Sequence, residues 1–208
     1  MTTAPDAVAG ASLLTLLGTA LVVMGSPGPA TISVTAVGGA FGVRRALPYL
    51  AGVVFGTTVV LLVVATGTAS LLLSEPRLGP LLIGLSGAYI VYLAYRIATA
   101  PPLAVSAERR PPAFTGGLLL AMANPKAYLA IAAVFAGAGL GIQPPALEAA
   151  VKTLVLTGMI VLIHVAWLLA GASFTRLLSH PRASRIINIA FAAVLVASAL
   201  PAILPRGG

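Results

Sequence analysis

Two short polar interruptions hold the residues of this chain that are best suited to bind a charged solute. Ser26-Pro27-Gly28-Pro29 and Asn124-Pro125-Lys126 each lie inside a long apolar segment, about half a chain apart. Hydrocarbon supplies no water to unpaired backbone groups, so broken helices persist at membrane depth mainly where they line a cavity. Two such breaks in corresponding places indicate a transport site.

The residue types at each break predict the end of one half-helix and the start of another. The prolines lack an amide hydrogen, and Gly28 tolerates unusual backbone angles. Ser26 and Asn124 are each predicted as an N-cap followed by proline at the first helical position. The amide hydrogens and positive dipole end of a helix start suit a carboxylate or phosphate, and a visiting anion would explain Lys126 in the first turn. The alternative is that the prolines only kink packed helices while Lys126 extends to the membrane surface.

A single histidine at membrane depth is the candidate for moving a proton. His164 lies near the middle of the fifth apolar stretch, and histidine is the side chain that titrates near neutral pH. A proton relay is one interpretation, and a hydrogen bond across a helix contact has equal weight. Tyr89 and Tyr128 are candidates to line the same pocket, with packing as the alternative. Aspartate and glutamate are absent from the predicted spans, which disfavours a carboxylate-based cation site.

The elements that must position these residues are transmembrane helices. With 59% hydrophobic residues, 8% charged residues and a mean hydropathy of +1.07, the 208 residues do not form a soluble domain. The first run lacks a basic start and is interpreted as a retained helix, not a cleaved signal. Six stretches are long enough, or nearly so, for a span of about 20 residues: 7–43, 46–74, 78–95, 111–125 with 127–147, 153–175 and 186–205.

The arginine distribution predicts the orientation of these helices. Arginines cluster after the first, third and fifth stretches, which places those loops in the cytoplasm and both termini outside. Three spans per half then make the second half inverted relative to the first. We predict an all-α membrane protein of two inverted three-helix repeats, 1–98 and 113–208, joined by a cytoplasmic linker, 99–112. Helices 1 and 4 are broken at the proline motifs.

Composition also excludes several classes of function. The net charge of +8 is explained by topology, and the basic residues form no patch interleaved with aromatics, so no nucleic-acid partner is expected. Cysteine is absent, which excludes disulfides and thiolate metal sites. With two histidines and no carboxylate in the spans, metal ligands are scarce, and we expect no metal or other cofactor. No nucleophile, base and orienting group occur together, so we expect no enzyme.

Four motifs occur in the order and at the spacing of a known family: Pro27-Gly28-Pro29, Gly52 with Gly56, Gly87-Ala88-Tyr89 with Tyr92-Leu93, and Asn124-Pro125-Lys126. In this the chain resembles the lysine exporter (LysE/RhtB-type) family of amino-acid exporters. The resemblance implies export of amino acids or related small solutes from the cytoplasm, coupled to the proton gradient. Members often carry an acidic residue directly after the second glycine of helix 2, where this chain has Thr57. That departure disfavours a cationic substrate and leaves His164 as the titrating group.

We therefore predict a secondary transporter of the cytoplasmic membrane that exports a neutral amino acid or a related carboxylate solute by proton-coupled alternating access. Its predicted partners are the amino acid, protons and the lipid bilayer, and a homodimer is left open. A non-transporting scaffold or lipid-export assembly factor is the alternative, and a metal-ion exporter is less favoured. His164 is predicted to couple protons, and the predicted substrate-binding residues are Ser26, Pro27, Gly28, Pro29, Thr57, Tyr89, Asn124, Pro125, Lys126 and Tyr128.

Overall fold

The computed structural model describes residues 5–67 and 112–173 continuously, with side chains from residue 12 onward, and isolated helical positions within 84–99 and 182–197. Tyr89 and most of the predicted linker lie outside the described residues. All regular structure in the two continuous parts is helical, which agrees with the predicted all-α class. The helices are α1 (Pro5–Gly25), α2 (Pro29–Ala65), α3 (Phe114–Met122), α4 (Pro125–Gly137) and α5 (Pro145–Ser173).

The first break separates α1 from α2. α1 ends at Gly25, and α2 begins at Pro29, whose fixed φ and missing N–H suit the first helical position. Gly28 is the N-cap, in extended backbone with φ −168° and ψ 179°. Its N–H donates to Thr31 Oγ1 at 2.9 Å, so the first turn of α2 provides the acceptor for the N-cap amide.

The prediction that Ser26 is the N-cap is wrong. The Ser26 hydroxyl donates instead to the carbonyl of Val23 at 2.8 Å, in the last turn of α1. Of the two prolines in this break, Pro29 takes the first helical position, and a residue before proline is driven to extended backbone. The helix start therefore moves to the second proline, and Ser26 stays with the helix that it follows.

α2 has 37 residues and is divided at Gly42, which has φ 74° and ψ 165°. This positive φ lies where residues with a side chain are disfavoured. The part before Gly42 lies along α5, where Thr35 Oγ1 donates to the carbonyl of Trp167 at 3.2 Å. The part after Gly42 packs on α3. α2 thus begins at the first break, and its second part contacts α3, the helix that ends at the second break.

The second break bends α3 and α4 by 62°. Asn124 is the N-cap of α4: its side chain accepts a hydrogen bond from the N–H of Lys126 at 3.2 Å, and Pro125 occupies the first helical position. The predicted N-cap at Asn124 is therefore confirmed.

Two of the described helices, α2 and α5, are long and apolar enough to cross a bilayer, and α3 with α4 provides a third if the bent pair is one span. Large apolar side chains face outward from these helices, for example Phe55, Leu129 and Leu154. Extended exposed apolar surface of this kind marks contact with a membrane or another partner. The described helices are those of a membrane protein.

Glycines allow the backbones of neighbouring helices to approach closely. A Cβ atom on Gly52 would meet the carbonyl oxygen of Phe114, which joins α2 to α3. A Cβ atom on Gly171 would meet the carbonyl oxygen of Thr35, which joins α5 to the first part of α2. These contacts hold α3 against the second part of α2, and the first part of α2 against α5.

Two glycines on α5 test this packing. We expect Gly171→Ala to lower the free energy of unfolding by about 1–3 kcal/mol, because the added methyl overpacks a backbone contact. Gly158→Ala is the matched control, since nothing lies within 4 Å of a Cβ there, and alanine there should stabilise the helix by up to about 1 kcal/mol. Thermal unfolding of the detergent-solubilised variants measures both. Equal shifts would contradict the close contact at Gly171.

Candidate functional site

The two breaks face one cavity. It is bounded by α1, α2, α4 and α5 and contains about 420 Å³ of empty space, including the part that opens outward. Apolar side chains from α4 and α5, such as Ile131, Ile160 and Ile163, form much of its wall. The predicted site residues that line it are Ser26, Gly28, Thr57, Asn124, Lys126 and His164.

Lys126 joins the two breaks directly. Its Nζ donates to the carbonyl of Ser26 at 2.7 Å, to Ser26 Oγ at 2.8 Å and to the carbonyl of Pro27 at 2.8 Å. These oxygens follow the C-terminal end of α1, where the helix dipole favours a cation. That end of α1 compensates for the unfavourable dipole of α4, in whose first turn the lysine lies.

The lysine has no acidic partner within the parts of the chain that the structure describes. The ion pair found there joins Glu148 to Lys152, at 2.8 Å, on α5. Lys126 is therefore held by neutral oxygens alone, and an ammonium that is bound only by neutral oxygens can still attract an anion strongly.

Gly28 provides the space that the lysine needs. A Cβ atom at this position would lie 2.6 Å from Lys126 Cδ and 2.8 Å from Lys126 Nζ. The backbone of Gly28 is extended, a conformation open to any residue. A side chain at position 28 would therefore displace Lys126 from its present path, whereas the backbone conformation itself accepts any residue.

His164 presents a nitrogen without a partner. The side chain is buried, with 5% of its surface exposed, and Nδ1 lies 2.7 Å from the carbonyl oxygen of Ile160. Because a carbonyl only accepts, Nδ1 carries the hydrogen in this contact. Nε2 is buried, and none of the residues that the structure describes forms a hydrogen bond with it. Buried polar atoms are nearly always paired, so an unpaired one in a cavity wall suggests a ligand.

Thr57 and Asn124 also belong to the polar lining. Thr57 is buried on α2, and its hydroxyl donates to the carbonyl of Val53 at 2.8 Å. Asn124 is buried at the second break, where its oxygen caps α4. Both side chains are neutral, so Lys126 is the one charged residue among the described residues that line the cavity.

Four further predicted residues, the three prolines and Tyr128, lie at the two breaks. Pro27 contributes its carbonyl to the lysine, whereas Pro29 and Pro125 start the two half-helices. Tyr128 does not line the cavity: its hydroxyl donates to the carbonyl of Met122 at 3.1 Å, across the second break. Tyr89 lies outside the described residues. The structure thus gathers most of the predicted residues but gives Tyr128 a bracing contact.

Sequence reasoning missed two features of the site. It did not predict that Lys126 binds the first break, although carbonyls left unpaired by Pro27 and Pro29 are natural acceptors for an ammonium. It also missed Trp167, whose Nε1 donates to the carbonyl of Gly25 at 3.0 Å and secures the end of α1 on α5. Tryptophan in an apolar helix carries no pattern that would have identified this contact.

Apolar helices around a cavity between two broken segments define a membrane transporter. The comparisons with known proteins agree: the family model described as LysE type translocator matches residues 21–204. The chain therefore belongs to the LysE-type translocator family, a class of transporters and not of enzymes, and is a multi-pass protein of the inner membrane.

The chain is also similar to curated proteins. It is 33% identical over 172 residues to the cysteine/O-acetylserine efflux protein of Salmonella choleraesuis (strain SC-B67). The aligned region covers 82% of this chain and 87% of that protein. It is 33% identical over 177 residues to the protein of the same name in Escherichia coli (strain K12), with coverage of 85% and 89%. No solved structure matches the chain significantly.

The contact between Gly28 and Lys126 predicts non-additive stability. Gly28→Ala should destabilise the wild-type protein by about 1–3 kcal/mol, because the methyl displaces the lysine. In the Lys126→Ala background the same change should cost less than about 0.5 kcal/mol, since nothing then obstructs the methyl. Thermal unfolding of the four proteins gives the coupling energy. Additive effects would show that the lysine does not pass over Gly28.

Proposed function

We propose that this chain exports a small neutral amino acid from the cytoplasm through the cavity between the two breaks, in exchange for protons. The observation that carries the proposal is the uncompensated ammonium of Lys126 in a cavity whose other lining side chains are neutral or apolar. A substrate carboxylate would supply the missing negative charge. The relatives named for cysteine and O-acetylserine support the proposal, because both compounds are small amino acids with uncharged side chains.

The substrate-binding residues are proposed as follows. Lys126 and Asn124 bind the carboxylate, helped by the N–H groups at the start of α2, which have no acceptor within the helix. Ser26, Gly28 and Thr57 form the neutral part of the wall. Pro27, Pro29 and Pro125 create the breaks, Tyr128 braces the second one, and Tyr89 remains a candidate contact.

The six-span inverted repeat is also part of the proposal. Each break has the same local design: a helix ends, a capped half-helix starts with proline, and both breaks line one cavity. Inverted repeats place a substrate site at their interface and open it alternately to either side. In this scheme Lys126 joins the two repeats, and a carboxylate that draws the ammonium from Ser26 and Pro27 weakens that connection. Binding would then favour the change of access.

Transport by the purified protein tests the proposal. In proteoliposomes we expect O-acetyl-L-serine to move with wild-type protein, and Lys126→Ala to lower its binding about tenfold or more. The expected loss follows from the 1.5–3 kcal/mol that a hydrogen bond to a charged group typically contributes. Lys152→Ala is the control, because Lys152 is a buried lysine that pairs with Glu148 and does not line the cavity.

The comparison between the two lysine variants is made at equal amounts of folded protein. Equal losses in both would remove Lys126 from the binding site. No movement of any amino acid by folded wild-type protein would contradict export and would favour a scaffold or assembly role.

Reporter fusions test the orientation. We expect a reporter that works only in the cytoplasm to be active after Ala107, in the linker, and silent after Gly208, because the arginine-rich loops are placed inside. The opposite pattern would overturn both the outside location of the termini and the inverted repeat.

A further inference from the structure

His164 offers a second polar contact in the cavity that the proposed carboxylate site does not use. Its Nε2 is buried and unpartnered, and the residue lines the same cavity as Lys126. With Nδ1 donating to the carbonyl of Ile160, the neutral ring presents Nε2 as an acceptor only. The complementary ligand group is therefore a hydrogen-bond donor.

A zwitterionic amino acid carries such a donor beside its carboxylate. Its α-ammonium must find acceptors when it leaves water, since an unpaired buried cation is very costly. The oxygens of Ser26 and Pro27 at the first break already accept from Lys126. Nε2 of His164, a residue of the described cavity lining, is an acceptor that has no existing bond to lose.

We propose that Nε2 of neutral His164 accepts a hydrogen bond from the α-ammonium of the substrate, so that substrate and proton compete for one nitrogen atom. The inference rests on the proposed function and specifies how its two ligands exclude each other. A proton that binds Nε2 takes the lone pair, converts the acceptor into a donor and places a positive charge beside the ammonium. The substrate then leaves, and its return requires the proton to leave first.

Few charged groups lie near His164 in the described structure, so few other groups can alter this competition. On α4, Lys126 lines the cavity. The described lining residues of α1 and α2 include no titratable side chain, and α3 contributes no residue to the described lining. On α5 itself, Glu148 and Lys152 pair with each other, and Lys152 lies about 18 Å from His164 along the helix. His164 is thus the histidine of the described cavity lining, and histidine is the side chain whose charge changes most readily near neutral pH.

Two probes separate the ammonium contact from the carboxylate contact. L-cysteine carries both groups, and 3-mercaptopropionate is the same molecule with hydrogen in place of the ammonium. The chain has no cysteine, so reductant can protect both probes without harm to the protein. In detergent-solubilised wild-type protein we expect the affinity for cysteine to fall by up to about tenfold for each pH unit by which the pH is lowered, once the histidine is protonated. The affinity for 3-mercaptopropionate should not fall in this way.

Two variants of His164 complete the experiment. His164→Gln keeps an acceptor at the end of a side chain of similar volume but does not titrate, so cysteine should bind with little dependence on pH and uphill export should lose its pH dependence. His164→Leu removes the acceptor and leaves the ammonium unpaired, so the affinity for cysteine should fall at least to that for 3-mercaptopropionate. Affinity for 3-mercaptopropionate should change little in either variant.

The outcomes distinguish this inference from the function on which it rests. Parallel pH profiles for the two probes in wild-type protein, or an unchanged profile for cysteine in His164→Gln, would overturn the competition at Nε2 while leaving export intact. Folded wild-type protein that neither binds nor moves either probe would overturn the proposed function, and this inference with it.

Discussion

The structure depends on how backbone groups are satisfied where a helix breaks inside an apolar environment. Carbonyls beyond the end of α1 accept from Lys126. Thr31 accepts from the N–H of the N-cap Gly28 at the first break, and Asn124 accepts from the N–H of Lys126 at the second. Unsatisfied backbone groups in hydrocarbon cost several kcal/mol each. Because the lysine comes from one break and its acceptors from the other, the breaks stabilise each other only when they are adjacent. The cavity between them follows from that requirement.

This arrangement gives the cavity an unusual charge balance. One ammonium is held by neutral oxygens, one imidazole nitrogen is unpartnered, and the described lining contains no carboxylate. In our proposal a zwitterion supplies the missing pieces, with its carboxylate toward Lys126 and its ammonium toward His164. Thr57 fits the same picture, because its hydroxyl donates to the carbonyl of Val53 and adds no charge to the cavity.

The sequence allowed prediction of those features that local rules determine. Apolar runs predicted helices, and the Asn124-Pro125 pattern predicted the start of α4 correctly. The start of α2 was misplaced because Pro27 and Pro29 both suit a first helical position, and only the extended backbone of Gly28 selects the second. The contact between Lys126 and Ser26 spans 100 residues of sequence, so no local rule reveals it. The unpartnered nitrogen of His164 likewise became visible only once the neighbouring helices were in place.

The most direct test that the cavity binds substrate is whether substrate protects an engineered cysteine there from chemical labelling. Because the chain has no native cysteine, all labelling comes from the engineered one. Ala130 lines the cavity on α4, whereas Ala132 on the same helix is exposed on the outer surface. We predict that O-acetyl-L-serine slows the reaction of detergent-solubilised Ala130→Cys with N-ethylmaleimide and leaves the reaction of Ala132→Cys unchanged. Equal rates with and without the amino acid at Ala130→Cys, in a variant that still exports it, would contradict a binding site between the two breaks.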